Sequence, residues 1–389
     1  MDQQSVSFTV SKDDFSSALA WVARTLPSKA SQPILRGVLI EATDDGLQLS
    51  GFDREVSTKV RVSADVSEPG KVLVAGRLAS NIIGALPDKP VRIDYDGTKV
   101  LVNCGSSHFE LPAMTIDDYP VLPDFPQVAG SLDPHLFTEV IGQVAIASSR
   151  DDTLPMLTGI RMEIDGEHLV LAATDRFRFA VRTLDWVPAR ADISAELLIP
   201  ARTLAETARS LDSTGEPVEI ALDQDGGRLL GISTSDRRTT TRLIDSDFPK
   251  FRSLFPKTHT SLASVEIAPL LDAIRRVSLV TDGNSPVKMD FEEGTLTLSA
   301  GGSDLGVAKE QLPCAFAGEP LVIAFHPGYL KDGLGSVHTD RVVFGFNQAS
   351  RSAVLVPEPE ELPEASADGT FPTPESSFTY LLMPVRLPG

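Results

Sequence analysis

Apolar residues recur at helical spacing at Phe15, Leu19, Val22 and Leu26, and the same i, i+3/4, i+7 pattern returns at Phe137, Val140, Ile141, Val144 and at Leu270, Leu271, Ile274, Val277. Each stretch predicts an amphipathic helix opening a structural unit. Ser11 before Lys12-Asp13-Asp14 reads as an N-cap with an acidic first turn, and Asp133 before Pro134 as an N-cap with proline at the first helical position. After each helix, two alternating runs meet at an acidic-Gly turn. They are Val38 to Glu41 with Leu47 to Ser50 about Asp45-Gly46, Ile160 to Ile164 with His168 to Ala172 about Asp165-Gly166, and Val287 to Phe291 with Thr295 to Ser299 about Glu293-Gly294. A short apolar strand then enters a second helix, from Val72 to Leu86, Leu197 to Leu211 and Leu321 to Leu334. A closing hairpin turns at Asp96-Gly97, Asp225-Gly226-Gly227 and Asn347 to Ser350.

The order repeats three times in 389 residues, and the first two units end in Ile116-Asp117-Asp118-Tyr119-Pro120 and Ile244-Asp245-Ser246-Asp247-Phe248-Pro249. This predicts an α+β fold of three similar domains, residues 1–127, 128–258 and 259–389. Each is made of two helix-plus-hairpins halves, with helices segregated to one side of antiparallel sheets. One segment breaks the repeat. Residues 357–376 are Pro-rich and carry Glu358, Glu360, Glu361, Glu364, Asp368 and Glu375 with no base, which predicts a mobile acidic loop before the last strand.

Charge refines this picture. With 35 Lys+Arg against 54 Asp+Glu the chain carries -19, which excludes a simple basic nucleic-acid-binding class. Yet the six candidate helical segments (residues 11–25, 75–86, 133–150, 201–211, 266–280, 325–336) together carry +1, leaving -20 elsewhere. Cations recur at helices and helix ends: Arg24, Arg77, Arg150, Arg202, Arg209, Arg275, Arg276 and Lys331, with Lys29 just beyond the first helix. If the helices share a surface, it is near neutral and studded with Arg while the rest repels polyanions; ordinary solubilising charge is the competing reading. Cys104 and Cys314 stand alone, without C-x-x-C or a Cys-His cluster, which excludes a disulfide framework and a structural zinc and points to the cytoplasm. No export signal and no apolar run of the roughly 18 residues a membrane span needs is present. Nucleotide-binding, metalloprotease and nucleophile-elbow motifs are absent, so no cofactor or catalytic set is implied. Asp151-Asp152 reads as a solvated turn rather than a catalytic carboxylate pair, and His326 as a structural residue rather than a metal ligand.

The three-fold repeat, the run Ala173-Thr174-Asp175-Arg176-Phe177-Arg178-Phe179-Ala180, the Asp247-Phe248-Pro249 landmark and the ending Tyr380-Leu381-Leu382-Met383-Pro384-Val385-Arg386-Leu387 resemble the β sliding clamp of bacterial DNA polymerase III. The resemblance spans nearly the whole chain, and the Arg-Phe-Arg form and the acidic loop look actinobacterial. It implies a processivity factor and no enzyme: a head-to-tail homodimeric ring, helices lining the hole and sheets outside, that encircles duplex DNA without sequence preference and slides along it. Size arithmetic agrees that one chain cannot do this. A domain of ~130 residues is about 36 Å across, so three in contact leave a hole of about 6 Å and six about 36 Å, against roughly 20 Å for a duplex. DNA contacts are then expected to be few and phosphate-directed, from the nine cations named above, with Arg24 and Lys29 foremost.

The resemblance further implies a hydrophobic pocket between domains two and three for linear motifs of the polymerase III catalytic subunit, the clamp loader, other polymerases and repair proteins. Carried over, its residues are Leu157, Thr174, Arg176, Phe177, Arg178, Phe179, Pro249, Leu254, Ser352, Met383, Pro384, Val385 and Arg386. The chain departs from the pattern in running on to Pro388-Gly389 and in having Leu154 where some members have Arg. The implied dimer contact joins the strand Phe109-Glu110-Leu111 to the helix end Leu279-Val280. Two other classes compete: a cytoplasmic scaffold of three peptide-binding domains that never meets DNA, and an acidic hydrolase using Asp151 and Asp152.

Overall fold

The computed structural model describes residues 5–27, 32–211, 215–223, 228–281, 285–302 and 306–386. Lys29, the predicted turn at residues 225–227 and the end from Leu387 lie outside them. Among the described residues there are six α-helices, α1 (Lys12–Thr25), α2 (Gly76–Ala85), α3 (Pro134–Ala145), α4 (Ala201–Leu211), α5 (Ile267–Val277) and α6 (Pro327–Gly335), each within a predicted segment. The amphipathic spacing explains α1, where Phe15, Leu19 and Val22 are buried and Arg24 is exposed. Asp133 caps α3, its Oδ1 accepting from the N–H groups of His135 (2.9 Å) and Leu136 (3.0 Å). Ser11 departs from expectation: its side chain makes no capping bond, and Asp13 and Asp14 face the positive end of the helix dipole instead. Helix α3 stops short of Arg150 because the Ala147 and Ser148 N–H groups bond Val144 and Ala145 in a tighter turn.

One compact unit, Met1–Phe137 with Val187–Arg190 and Glu206–Leu243, holds two antiparallel sheets. The five-stranded sheet has the order Ala64–Glu68, Val6–Val10, Val91–Tyr95, Lys99–Cys104, Ser107–Pro112. The nine-stranded sheet runs Val187–Pro188, Gln127–Leu132, Val218–Leu222, Leu229–Ser233, Arg237–Arg242, Val56–Val62, Gly46–Phe52, Gly37–Thr43, Gly70–Ala75. The other unit, Thr138–Trp186 with Ala191–Ala205 and Ile244–Gly389, holds a twelve-stranded sheet. Its order is Ser194–Pro200, Gly159–Asp165, His168–Thr174, Arg178–Asp185, Phe378–Leu382, Ala353–Pro357, Arg341–Phe346, Ser261–Glu266, Gly306–Gly318, Gly294–Gly302, Val287–Glu292, Leu321–Phe325. A two-stranded ladder pairs Thr258–His259 with Phe371–Pro372 in the same unit. Among the described residues, no helix is long and apolar enough to cross a membrane.

Each large sheet continues from one repeat into the next, which is why compaction follows two units. Val56–Val62 pairs with Arg237–Arg242, and Arg178–Asp185 pairs with Phe378–Leu382. The repeats also close alike. The carbonyl three residues before α2, α4 or α6 accepts an N–H from the segment leaving that repeat: Met114 to Leu73, Ile244 to Leu198, Val385 to Ala324, each 2.8 Å.

Residues 357–376 correct the expectation of a loose loop. Arg341 Nε meets Glu358 Oε2 at 3.2 Å, and Thr373 Oγ1 donates to Pro256 O at 2.7 Å. Phe371 is buried in one apolar cluster with Phe179, Phe248, Phe251 and Leu381. One well-placed aromatic ties down a segment that its overall composition reads as solvated.

Candidate functional site

Strand His168–Thr174 reaches Arg178–Asp185 through a turn built by its own side chains. Asp175 Oδ1 accepts the N–H groups of Phe177 (3.0 Å) and Arg178 (3.1 Å), and Thr174 Oγ1 donates to Arg178 O (2.7 Å). These bonds hold Arg176 at φ +82°, a left-handed conformation costing a non-glycine residue about 1 kcal/mol or more. The turn leaves Arg176 and Phe177 exposed. Arg178 turns the other way: its Nε meets Asp175 Oδ2 at 2.9 Å, its Nη1 meets Asp332 Oδ2 at 2.5 Å, and its guanidinium lies 4.5 Å over the Tyr329 ring. Burial works against this charge, but Tyr380, Asp332 and Asp175 outweigh it and raise the Arg178 pKa.

The Phe177 ring stacks on Tyr329, with centroids 6.0 Å apart and 18° between planes. Phe177 O accepts the Met383 N–H at 2.9 Å, so the pairing of Arg178 with Leu382 carries Met383 to the turn, and the chain then runs through Pro384 to Val385, bonded to Ala324 O ahead of α6, and Arg386. Ser352 precedes Ala353, which lies opposite Leu382, and joins the same edge. Phe179 is buried, its ring 5.2 Å from Phe251 and 5.8 Å from Phe248 and Phe255. Leu254 follows Phe251 in a 3-10 turn, and Pro249 lies exposed beside Phe248. Phe177 (51% exposed), Leu254 (50%) and Met383 (42%) are therefore large apolar side chains left half in water around a buried aromatic floor. Leu157 and Thr174 are buried, Thr174 within the turn itself and Leu157 in a 3-10 turn before the strand Gly159–Asp165. Leu154, half-buried, precedes the Pro155–Leu157 3-10 turn.

Sequence reasoning missed Tyr329, Asp332 and the trio Phe248, Phe251, Phe255 as parts of this site. The phenylalanines left a signal, their i, i+3, i+7 spacing from the Asp247-Phe248-Pro249 landmark, but Tyr329 and Asp332 come from α6 and no local pattern links them to residue 177. His326 is the N-cap of α6: its Nδ1 accepts the Gly328 N–H at 3.1 Å, and burial, then Arg178, lower its pKa and keep it neutral. Asp151 and Asp152 are exposed in a turn. The Thr153 N–H lowers the Asp151 pKa, opposite to the shift expected of a proton-sharing pair.

The cationic set is mostly at helix ends. Arg24 in the last turn of α1, Arg150 after α3, Arg202 and Arg209 on α4, Arg275 on α5 and Lys331 on α6 are all exposed. Arg77 is exposed and donates from Nη2 to Leu26 O (2.9 Å), closing the end of α1. Arg276 donates from Nε and Nη2 to the two carboxylate oxygens of Glu310, which offsets its charge.

At the edge of the five-stranded sheet, Phe109 is 41% exposed while Leu111 is buried in the apolar core. Leu279 is 81% exposed in the 3-10 turn after α5, and Val280 is half-buried.

Models of the N-terminal, central and C-terminal domains of the DNA polymerase III beta subunit match residues 6–123, 131–250 and 252–365. The chain is 44% identical to the beta sliding clamp of Streptomyces coelicolor over 98% of its own length and 99% of that protein's. It is 44% identical to the clamp of Micrococcus luteus over 79% of this chain and 99% of that one. The DNA polymerase sliding clamp of Bacillus subtilis superposes with a TM-score of 0.88 at 26% identity, covering 98% of this chain and 99% of that one. A Pseudomonas aeruginosa clamp described as bound to griselimycin gives 0.86 at 26%, covering 98% and 100%. With all three domain models in order along it, the chain belongs to the β sliding clamps, the beta subunits of DNA polymerase III, and is a processivity factor with the three-domain clamp fold rather than an enzyme.

Proposed function

We propose that two copies of this chain close head to tail into a ring on duplex DNA in the cytoplasm, with domain boundaries near residues 127 and 258. One observation carries the reading: a strand ladder made twice within the chain lacks its third instance. Val56–Val62 pairs with the last strand of the second repeat, and Arg178–Asp185 with the last strand of the third. The corresponding strand of the third repeat, Gly306–Gly318, pairs along Gly306 to Cys314 only with Gly294–Gly302 among the described residues. The last strand of the first repeat, Ser107–Pro112, is a sheet edge. Two open edges of this kind are a liability unless each covers the other in a second copy.

The internal ladders supply the register. Thr58 lies opposite Thr239, and Ala180 opposite Tyr380; within their hairpins Thr58 faces Gly51 and Ala180 faces Ala173 as Ala308 faces Ala300, so the same position puts Phe109 opposite Ala308 of the second copy. Phe109 is an exposed apolar residue and Ala308 a small half-buried one beside the exposed Val307, and Leu279 is assigned to the same contact. A Phe109→Cys, Ala308→Cys double variant tests this. Oxidation is expected to give a covalent dimer of about 83 kDa, twice 41.7 kDa. Cross-linking equally well through Phe109→Cys with Lys309→Cys would overturn the register.

DNA contact is assigned to Arg24, Lys29, Arg77, Arg150, Arg202, Arg209, Arg275 and Lys331, with Arg276 demoted by its bond to Glu310. Loose phosphate contacts suit sliding, since base-specific ones would halt it. The surface around Phe177, Leu254 and Met383 is assigned to the linear motifs of the polymerase, clamp loader and repair proteins. Tyr329 joins Leu157, Thr174, Arg176, Arg178, Phe179, Pro249, Ser352, Pro384, Val385 and Arg386 in forming or supporting it.

A further inference from the structure

The ladder joining the first and second repeats has two faces. One faces α1: Thr58 Oγ1 lies 3.1 Å from Thr25 Oγ1, and Arg237 lies 5.8 Å over the Trp21 ring. The opposite face carries Lys59 and Arg61 on one strand and Arg238 and Arg242 on the other. Lys59 and Arg238 are direct cross-strand partners, a like-charge pair that a sheet interior tolerates only at a cost. Nearby carboxylates are engaged elsewhere. Asp53 Oδ1 accepts the N–H groups of Glu55 and Val56, Asp236 meets Arg237 and Thr234, Glu41 meets Lys71 and Gln48, and Glu55 meets Arg242 at 3.9 Å. Among the described residues, none lies within ion-pair distance of Lys59, Arg61 or Arg238.

The equivalent ladder between the second and third repeats has Val181 and Thr379 where this one has Lys59 and Arg238. Beside that pair, Phe179 lies against Phe248, Phe251 and Phe255. The same seam is thus apolar and covered in one place, cationic and open in the other.

We propose that the face formed by Lys59, Arg61 and Arg238 docks an extended acidic segment of a partner protein. Alternate carboxylates along an extended chain repeat about every 6.6 to 7 Å, the spacing of Lys59 and Arg61 along their strand. The choice of a peptide over single-stranded nucleic acid rests on the aromatic residues. Phe125 is pressed on Gly231 and covered by Arg238 at 5.2 Å, and Tyr119 is largely buried, so neither offers an open face to stack a base.

The test is fluorescence anisotropy of a short labelled peptide of alternating Glu and Ser against the full-length protein. Binding is expected to weaken roughly tenfold in a Lys59→Glu, Arg238→Glu variant and to fall with added salt. Reversing Lys71 and Arg92 instead is expected to leave it unchanged. Equal weakening by that control pair would reduce the effect to general charge and overturn the site. Tighter binding of a thymidine oligonucleotide of equal charge would overturn the partner class. A Lys59→Ser, Arg238→Ser variant with wild-type peptide affinity would contradict the proposal even if the double reversal failed to fold.

Discussion

Phe177 stacks on Tyr329 yet keeps half its surface in water, an unfavourable arrangement that a ligand can relieve. Covering that half stabilises a complex by about 1 to 1.5 kcal/mol, so Phe177→Ser is expected to weaken binding of a polymerase-derived motif roughly tenfold by calorimetry, with dimer mass unchanged. His259 makes a different prediction. Thr373 Oγ1 donates its one hydrogen to Pro256 O, so His259 Nε2 must donate to Thr373 Oγ1 (2.8 Å), leaving Nδ1 buried and bare. The ring lies so close to Gly345 that an added Cβ would stand 2.6 Å from it. Burial lowers the His259 pKa from 6.5 to about 4. The unfolded chain therefore binds a proton first as pH falls, and the stability present above pH 6.5 is lost progressively down to pH 4, by roughly 3 kcal/mol at most. Denaturant titrations over that range are expected to show a shallower pH dependence for His259→Gln than for wild type; parallel profiles would contradict the assignment.

Helices and hairpins were the most legible elements, because amphipathic spacing and acidic-Gly turns are local signals that tertiary contacts only reinforce. Asp45-Gly46 and Asp165-Gly166 turn where expected, and the Thr174 to Phe179 run carries its own turn chemistry. What stayed hidden was made between elements. Tyr329 joins the site from α6, Arg276 is paired from strand Gly306–Gly318, and Leu111 packs into the apolar core beneath its sheet edge. The acidic segment is the clearest case, since its prolines and carboxylates outvote Phe371 in any count, while Phe371 decides its placement. Phe371→Ala is expected to cost about 3 kcal/mol and to open residues 357–376 to proteolysis before the rest of the chain. Lys59→Thr should instead stabilise the fold by a few tenths of a kcal/mol by removing the like-charge pair with Arg238, read as a rise in denaturation midpoint.

At the scale of the whole molecule, a chain of net charge -19 cannot hold DNA by bulk attraction, so persistence must come from closure. The internal ladders give the reason a second copy completes the structure, and Leu279→Asp is expected to yield monomers of 41.7 kDa by light scattering. Topological retention separates this account from a peptide-binding scaffold and from an ordinary DNA binder. The decisive measurement is retention of the protein, loaded by the clamp loader, on nicked circular DNA in high salt before and after one cut linearises the circle. The account predicts that it stays on the circle and is lost from the free ends. Equal loss from both forms, or none from either, would contradict it.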